Sequence, residues 1–361
     1  MNKNYEFIIY IGTSTVSLTG VYFDKNNFGR CFYKEYDHGG LTDDFFANPE
    51  RLFIAIKHLT KACSEAINRT ISNCYVILPQ MFFQTKVNTD SLAIKDGYVN
   101  RFDVNDLMEN ATQELSGCVN AECVPIAFKV AKGYVDNPIG FLASTLTLIS
   151  STIALSNKVQ EFFDDTGKRL NIELTLMPLS KPLLNCIQDT YNEPRSSRMV
   201  LNFNEDTIDV MYCEMRAVIS DKVIEGGINK IKRVLSDEFE IGDSKAEELI
   251  DRINLNVNEG FYVISHSELI KIDSKKTNEI FSEALGETLQ KVKEAIWEQT
   301  DGIPMRIYVT GNKIVSIRGV ESFISAALGS AVQVLAPNYL VWNRPEDYVT
   351  VGLINMLNKE E

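Results

Sequence analysis

Residues 199–213 read Met199-Val200-Leu201-Asn202-Phe203, then Asn204-Glu205-Asp206, then Thr207-Ile208-Asp209-Val210-Met211-Tyr212-Cys213. Two apolar, β-rich runs around a polar turn predict a β-hairpin. The same pattern opens the chain, where residues 7–11 and 16–23 flank Gly12-Thr13-Ser14-Thr15. A recurrence after about 190 residues is too long for a solenoid period. It points to two related halves, each opening with a hairpin, in a duplicated two-lobed α/β fold.

Outward from the first hairpin, residues 49–68 carry Leu52, Ile56, Leu59 and Ala62 at helical spacing. They are followed by 74–78, a buried-type strand ended by Pro79. Between the halves, residues 102–115 place Val104, Leu107, Met108, Ala111 and Leu115 on one helical face, with Asp103 as the cap. Strand-like 97–99 and 124–130 flank this helix, which predicts a small α/β insert of about 80 residues. After the second hairpin, Gly226-Gly227 precedes a helix over 228–239 and another over 244–253 that Ser244 caps. Short strands at 261–264 and 269–272 lead into a long amphipathic helix over 277–298, and 307–309 is a strand closing on Thr310-Gly311-Asn312. The expected organisation is a first lobe over 1–83, an insert over 84–165, a return to lobe one over 166–198, a second lobe over 199–335 with its own inserted part at about 230–285, and a C-terminal return over 336–361.

The composition fits this reading. With 361 residues, 45% hydrophobic and 24% charged, the chain lies on the globular average and is long enough to bury roughly three quarters of its unfolded surface. The net charge of −13 lacks the electrostatic footprint of a nucleic-acid binder. Seven widely spaced cysteines without a CxxC pair suggest buried thiols in a reducing cytoplasm, and neither a disulfide framework nor a zinc site. The N-terminus lacks signal-peptide features. The weakly polar run 141–155 is broken by Ser144, Thr145, Thr147, Ser150, Ser151 and Thr152, so it is too polar and short for a membrane span.

Small residues in both hairpin turns and at a strand end would let backbone N–H groups approach phosphates if they faced one cleft, because any Cβ would block that approach. Their order resembles the actin-like ATPase superfamily, and within it the FtsA family of bacterial cell-division proteins. Tyr10-Ile11-Gly12-Thr13-Ser14 is similar to the first phosphate loop, and residues 200–209 to the second, including Thr207. Gly226-Gly227 and Ala246-Glu247-Glu248-Leu249 resemble the segments around the nucleoside, and Thr310-Gly311-Asn312 with Gly319 resembles the adenosine motif. Ala93-Ile94-Lys95-Asp96, Asp103-Val104 and Asn137-Pro138-Ile139-Gly140 resemble the division proteins' inserted subdomain, and Tyr348 to Leu353 their last helix. The resemblance implies a two-lobed actin-like fold of RNase H type. It also implies ATP and Mg²⁺ as cofactors, with Gly12, Thr13, Ser14, Thr207, Gly226, Gly227, Glu247, Gly311 and Asn312 as the binding residues.

The departures fall on the chemistry. The family's first-loop Asp organises the magnesium shell that phosphoryl transfer needs, and here that position is Tyr10. The second-loop Asp is Asn202, three glycines are Asn204-Glu205-Asp206, and the usual Lys after the nucleoside segment is Ile250. Each acid within ~4 Å of a phosphate charge costs ~1 kcal/mol in water and more when desolvated. Two outcomes are compatible with these residues: a nucleotide held in an altered pose by Thr13, Ser14, Gly227 and Gly311, or a remnant cleft. Catalytic residues and a metal site are not expected. His38 reads as an exposed loop residue beside Gly39-Gly40, His266 as a turn, and Asp43-Asp44 and Asp164-Asp165 as solvated loops.

The resemblance implies a cytoplasmic scaffold or adaptor in cell division, recruited to the septum, that binds the C-terminal peptide of the tubulin-like protein FtsZ and can self-associate. Lys271, Lys275 and Lys276 would suit that acidic peptide, although an Arg common in the family is here Leu285, two places before Glu287. The alternatives are an adaptor similar to the pilus protein PilM, which holds a membrane protein's cytoplasmic tail, or an active ATPase or sugar kinase. The segment 358–361 lacks a basic amphipathic anchor; if it is the natural end, membrane attachment comes from a partner.

Overall fold

The computed structural model describes residues 4–24, 27–95, 97–112, 115–191, 197–257, 261–265, 268–303, 305–337, 339, 342 and 347–360. The chain divides into two compact units: Met1–Ser196 with Cys213–Ser220, and Ser197–Tyr212 with Asp221–Glu361.

The first unit begins with β1 (Asn4–Ile11), β2 (Thr15–Asp24) and β3 (Asn27–Asp37), an antiparallel meander. Helix α1 (Pro49–Ile67) follows, begun by the Asn48 side chain accepting from Arg51 N and ended by Asn68 in the left-handed conformation. Its Leu52, Ile56, Leu59 and Cys63 are fully buried at successive spacings of four, three and four residues, so one stripe faces the sheet. β4 (Asn73–Leu78) then pairs parallel to β1. An excursion follows: β5 (Phe83–Ala93), α2 (Arg101–Ala111), β6 (Cys118–Val130), β7 (Gly133–Val135) and β8 (Thr145–Ser156). The chain continues through α3 (Asn157–Leu170), β9 (Glu173–Pro178) and α4 (Ser180–Tyr191). β9 pairs parallel to β4, giving the sheet order β3-β2-β1-β4-β9.

The excursion forms its own antiparallel sheet, β5-β8-β6-β7, covered by α2. Leu107 and Ala111 of α2 pack with Phe128, Leu146 and Leu148 in a separate core. The C-terminal carbonyl of Ala111 accepts from Thr152 Oγ1 at 2.8 Å, so α2 is pinned at its end as well as its face.

The chain after Ser196, most of it in the second unit, repeats the plan with β10 (Ser197–Phe203), β11 (Thr207–Glu214), β12 (Ala217–Glu225), α5 (Ile228–Phe239), α6 (Asp243–Ile250), β13 (Phe261–Ser265), β14 (Glu268–Ile272), α7 (Ser274–Thr300), β15 (Arg306–Gly311), α8 (Val320–Leu328), β16 (Val332–Val334) and α9 (Tyr348–Glu360). Its sheet runs β12-β11-β10-β15-β16, the same order with the same two parallel crossovers. The recurrence of hairpins therefore reflects two sheets of one topology. Phe281, Leu285, Leu289 and Val292 of α7 lie in the core beneath β10 and β15 with Leu201, Phe203 and Val309.

Several local expectations are corrected. The helix expected over 102–115 ends at Ala111, and its cap is Asn100: Asn100 Oδ1 accepts from Phe102 N and Asp103 N, while Asp103 Oδ2 accepts from Asn100 N. Asp103 is thus the return partner of a capping box. Residues 97–99 form only an isolated bridge, Tyr98 to Leu142. Ser244 lies inside α6, whose cap is Gly242 with no side-chain bond. Asp164 and Asp165 are in α3 rather than a loop, where Asp165 meets Arg169 at 3.5 Å. Asp96 and His266 fall outside the described residues.

Because Asn100 satisfies two backbone donors and Asp103 one, Asn100→Ala should cost about 1 kcal/mol in urea unfolding, and Asp103→Ala less. Equal or reversed costs would contradict this capping assignment.

Candidate functional site

In the second unit the turn between β10 and β11 is bound by its own side chains. Asn204 N donates to Thr207 O at 2.8 Å, closing the turn. Inside it, Asn202 Nδ2 donates to Asn204 Oδ1 at 2.7 Å and to Asp209 Oδ2 at 3.0 Å. Asn204 Nδ2 donates to the same Asp209 oxygen at 2.9 Å and to Thr207 Oγ1 at 3.2 Å. Asn202, Asn204 and Asp209 are all buried. Alternation along β10 and β11 explains the convergence: positions two apart point to one face, so 202 and 204 meet 207 and 209 across the hairpin. Burial pushes the Asp209 carboxyl above its ordinary value, Asn204 and Asn202 partly offset this, and nearby Glu205 adds to it.

Three expected glycines hold this turn from outside. A Cβ on Gly227 would stand 2.4 Å from the carbonyl oxygens of Asn204 and Glu205. One on Gly311, at φ +122°, would stand 2.1 Å from Phe203 O, and one on Gly226, at φ +130°, would strike Thr288 Oγ1 at 2.5 Å. In return, Gly226 N donates to Asp206 O at 2.9 Å and Asn229 N to Glu205 O at 2.8 Å. Asn229 Nδ2 also reaches Asp206 Oδ1 at 3.0 Å. The first turn of α5 therefore donates to protein oxygens of the turn. Asn312 N donates to Phe203 O at 2.8 Å, and Asn312 Nδ2 donates to Asn204 O.

Thr207, Gly226, Gly227, Gly311 and Asn312 thus converge on one turn. Glu247 is held on α6 by Lys313, 3.0 Å away, with Lys232 at 3.6 Å. The hydrogen bond from Lys313 lowers the Glu247 carboxyl, burial partly opposes this, and Lys232 adds to it. Lys313 also reaches Asp251 at 3.2 Å. Sequence reasoning missed Asp209, Asn229 and Lys313 as partners. Their signals were period-two spacing from Thr207 and adjacency to the Gly-Gly and Gly-Asn steps.

In the first unit Gly12, Thr13 and Ser14 form the β1–β2 turn, closed by Gly12 N donating to Thr15 O at 2.7 Å. His38 is not the exposed loop residue expected but fully buried. Its backbone N donates to Ser14 O at 3.0 Å, and Nε2 lies 3.1 Å from Gly12 O, which as a carbonyl can only accept. His38 is a brace for the turn. Among the described residues no group of three or more His, Cys, Asp or Glu could hold a metal ion.

Of the lysines expected to face an acidic peptide, Lys275 and Lys276 are exposed and make surface ion pairs. Lys276 pairs with Glu238 and lies over the Phe239 ring, and Lys275 approaches Glu279 at 3.9 Å. The side chain of Lys271 lies outside the described residues. Leu285 is core, while Glu287 on the surface accepts from Lys230 at 2.8 Å.

The buried carboxylate gives a signed prediction. Since the folded Asp209 value lies above the unfolded one, its ionisation costs stability as pH rises through that interval, and nothing below the ordinary value of 3.8. Asp209→Asn keeps an acceptor for Asn202 and Asn204, so its thermal midpoint should exceed the wild type at pH 7, the two converging as pH falls below that value. A variant less stable at pH 7 would contradict the burial of this charge.

No family profile matches the sequence, and no curated protein matches it. Solved structures do. A chain of the PilM–PilN type IV pilus biogenesis complex superposes with a TM-score of 0.64 at 13% identity, covering 97% of this chain and 98% of that one. MreB5 of Spiroplasma citri bound to ADP gives 0.57 at 10% identity, over 99% and 97%. The ethanolamine utilization protein EutJ from Carboxydothermus hydrogenoformans gives 0.56 at 12%, over 98% and 89%. The repeated sheets and these full-length likenesses show that the chain has the actin-like ATPase fold.

Proposed function

We propose that the chain is a non-hydrolysing actin-fold adaptor, a scaffold that uses the fold for partner binding. The observation that carries this reading is the Asn202–Asn204–Asp209 network, which fills the second phosphate-like turn with the protein's own hydrogen bonds. The residues do not fit a magnesium triphosphate. Tyr10 and Asn202 supply no carboxylate to the metal shell, and the acid that remains, Asp209, is buried against two amides. Glu205 and Asp206 add negative charge where a phosphate would need neutral N–H donors. Lys313 occupies Glu247, an expected nucleoside contact.

For the partner, the insert-like segments Ala93–Asp96 and Asn137–Gly140 support an FtsA-like role: a cytoplasmic scaffold at the division site, engaging the C-terminal peptide of the tubulin-like division protein. A second reading, a PilM-like adaptor for a membrane protein's cytoplasmic tail, draws on a different observation. The insert exposes Phe102 (79%), Leu142 (62%) and Tyr98 (60%), the last two joined across a bridge. Large apolar side chains exposed together are a common mark of an interaction surface. No helix among the described residues is long and apolar enough to cross a membrane.

Two measurements test this. Purified protein with ATP and Mg²⁺ should release phosphate no faster than a buffer control, and magnesium-dependent release that tracks the protein peak through gel filtration would overturn the non-hydrolysing reading. Fluorescence anisotropy with a labelled tubulin-like C-terminal peptide and with a basic juxtamembrane tail separates the partners. Binding of the first, unchanged in Phe102→Ser, supports the division role, whereas binding of the second, lost in that variant, supports the pilus-type role. Binding of neither refutes the adaptor proposal for both partner classes.

A further inference from the structure

Gly20 lies in β2 where the ladder with β3 shifts register: Gly20 faces Phe32 and Val21 faces Arg30, so Cys31 is the extra residue of β3. An extra residue bends its strand and loosens the local ladder. A Cβ on Gly20 would stand 3.0 Å from Cys31 Sγ and 3.6 Å from Cys63 Sγ. Two thiols therefore converge on the space left by one glycine, the first from the edge strand and the second from the buried stripe of α1. Cys63 is fully buried, whereas Cys31 is partly exposed. Burial pushes the Cys63 thiol up to about 12, and Cys31 beside it adds to this. Cys63 is thus protected from direct attack by solvent oxidants, and chemistry has to begin at Cys31.

We propose that Cys31 and Cys63 are an oxidisable pair, in which a small disulfide such as glutathione disulfide drives a covalent link between β3 and α1. The Cys31 thiolate attacks one sulfur of glutathione disulfide, forming a mixed disulfide and expelling a glutathione thiolate. Cys63 then gives up its proton to solvent base, attacks the Cys31 sulfur and expels the second glutathione, a step that quickens as pH rises toward the raised Cys63 value. The cysteines lose two electrons and two protons, and glutathione disulfide gains both as two thiols. The link closes the segment 31–63, which contains His38, the residue bonded to Gly12 O and Ser14 O. Oxidation state would thereby bear on the brace of the first turn.

The test is peptide mapping of the full chain after incubation with glutathione disulfide. The expected result is a linked Cys31–Cys63 peptide as the main product, the titratable thiols falling from seven to five. Cys63→Ser should stop at the Cys31–glutathione adduct. Gly20→Ala, whose methyl would stand within 3.6 Å of both sulfurs, should slow the link about tenfold while the adduct still forms. A persistent Cys31 adduct in the wild type, or linkage of Cys63 instead to Cys74, the buried thiol of β4, would overturn the proposal. If a variant fails to fold by circular dichroism, the wild-type map decides alone.

Discussion

The close approach of three backbone segments at the β10–β11 turn is the constraint on which the second unit rests. A Cβ added at Gly227 or Gly311 would strike backbone oxygens of Asn204, Glu205 or Phe203, and Gly311 pairs in parallel register with Phe203. Hydrogen bonds from Gly226, Asn229 and Asn312 then tie α5 and β15 to the turn. These glycines therefore have a use that does not depend on any ligand. They let sheet, helix and turn meet at backbone distance, and this reason for glycine persists when the binding chemistry changes.

The residues at the turn are mutually consistent. Asn202 supplies a donor for Asp209, and Asn204 supplies another. A buried carboxylate without such donors would be far more costly than one that accepts two hydrogen bonds. Glu247 shows the complementary case: half-exposed, bonded by Lys313 and approached by Lys232, it titrates below its ordinary range, so its ion pair is lost as pH falls through that lowered value. Glu247, expected to face a nucleoside, is thus engaged by a neighbour in the chain.

The fold was legible where period and punctuation agreed. Both hairpins, the helix over 228–239 and the strand before Pro79 stand where alternation, helical spacing and glycine or proline stops put them. Caps were less legible, because Asn100 and Asp103, or Gly242 and Ser244, are equally polar in sequence and only the backbone path decides which side chain reaches an N–H. His38 was misread for a related reason. A histidine beside Gly39-Gly40 has loop surroundings in sequence, yet the Ser14 carbonyl draws its backbone beneath the first turn. At the site the small residues were visible and their polar partners were not, since Asp209, Asn229 and Lys313 acquire their roles only through cross-strand and helix-end contacts.

The central claim is that the β10–β11 turn is filled by its own side chains and therefore does not receive a triphosphate. Isothermal titration calorimetry with ATP and Mg²⁺ addresses it most directly, comparing the wild type with the variant Asn204→Gly, Glu205→Gly, Asp206→Gly. The account predicts no saturable heat for the wild type and a measurable isotherm for the variant, whose turn loses two acids and the Asn204 side chain that fills it. Wild-type binding as tight as that of the variant would contradict it.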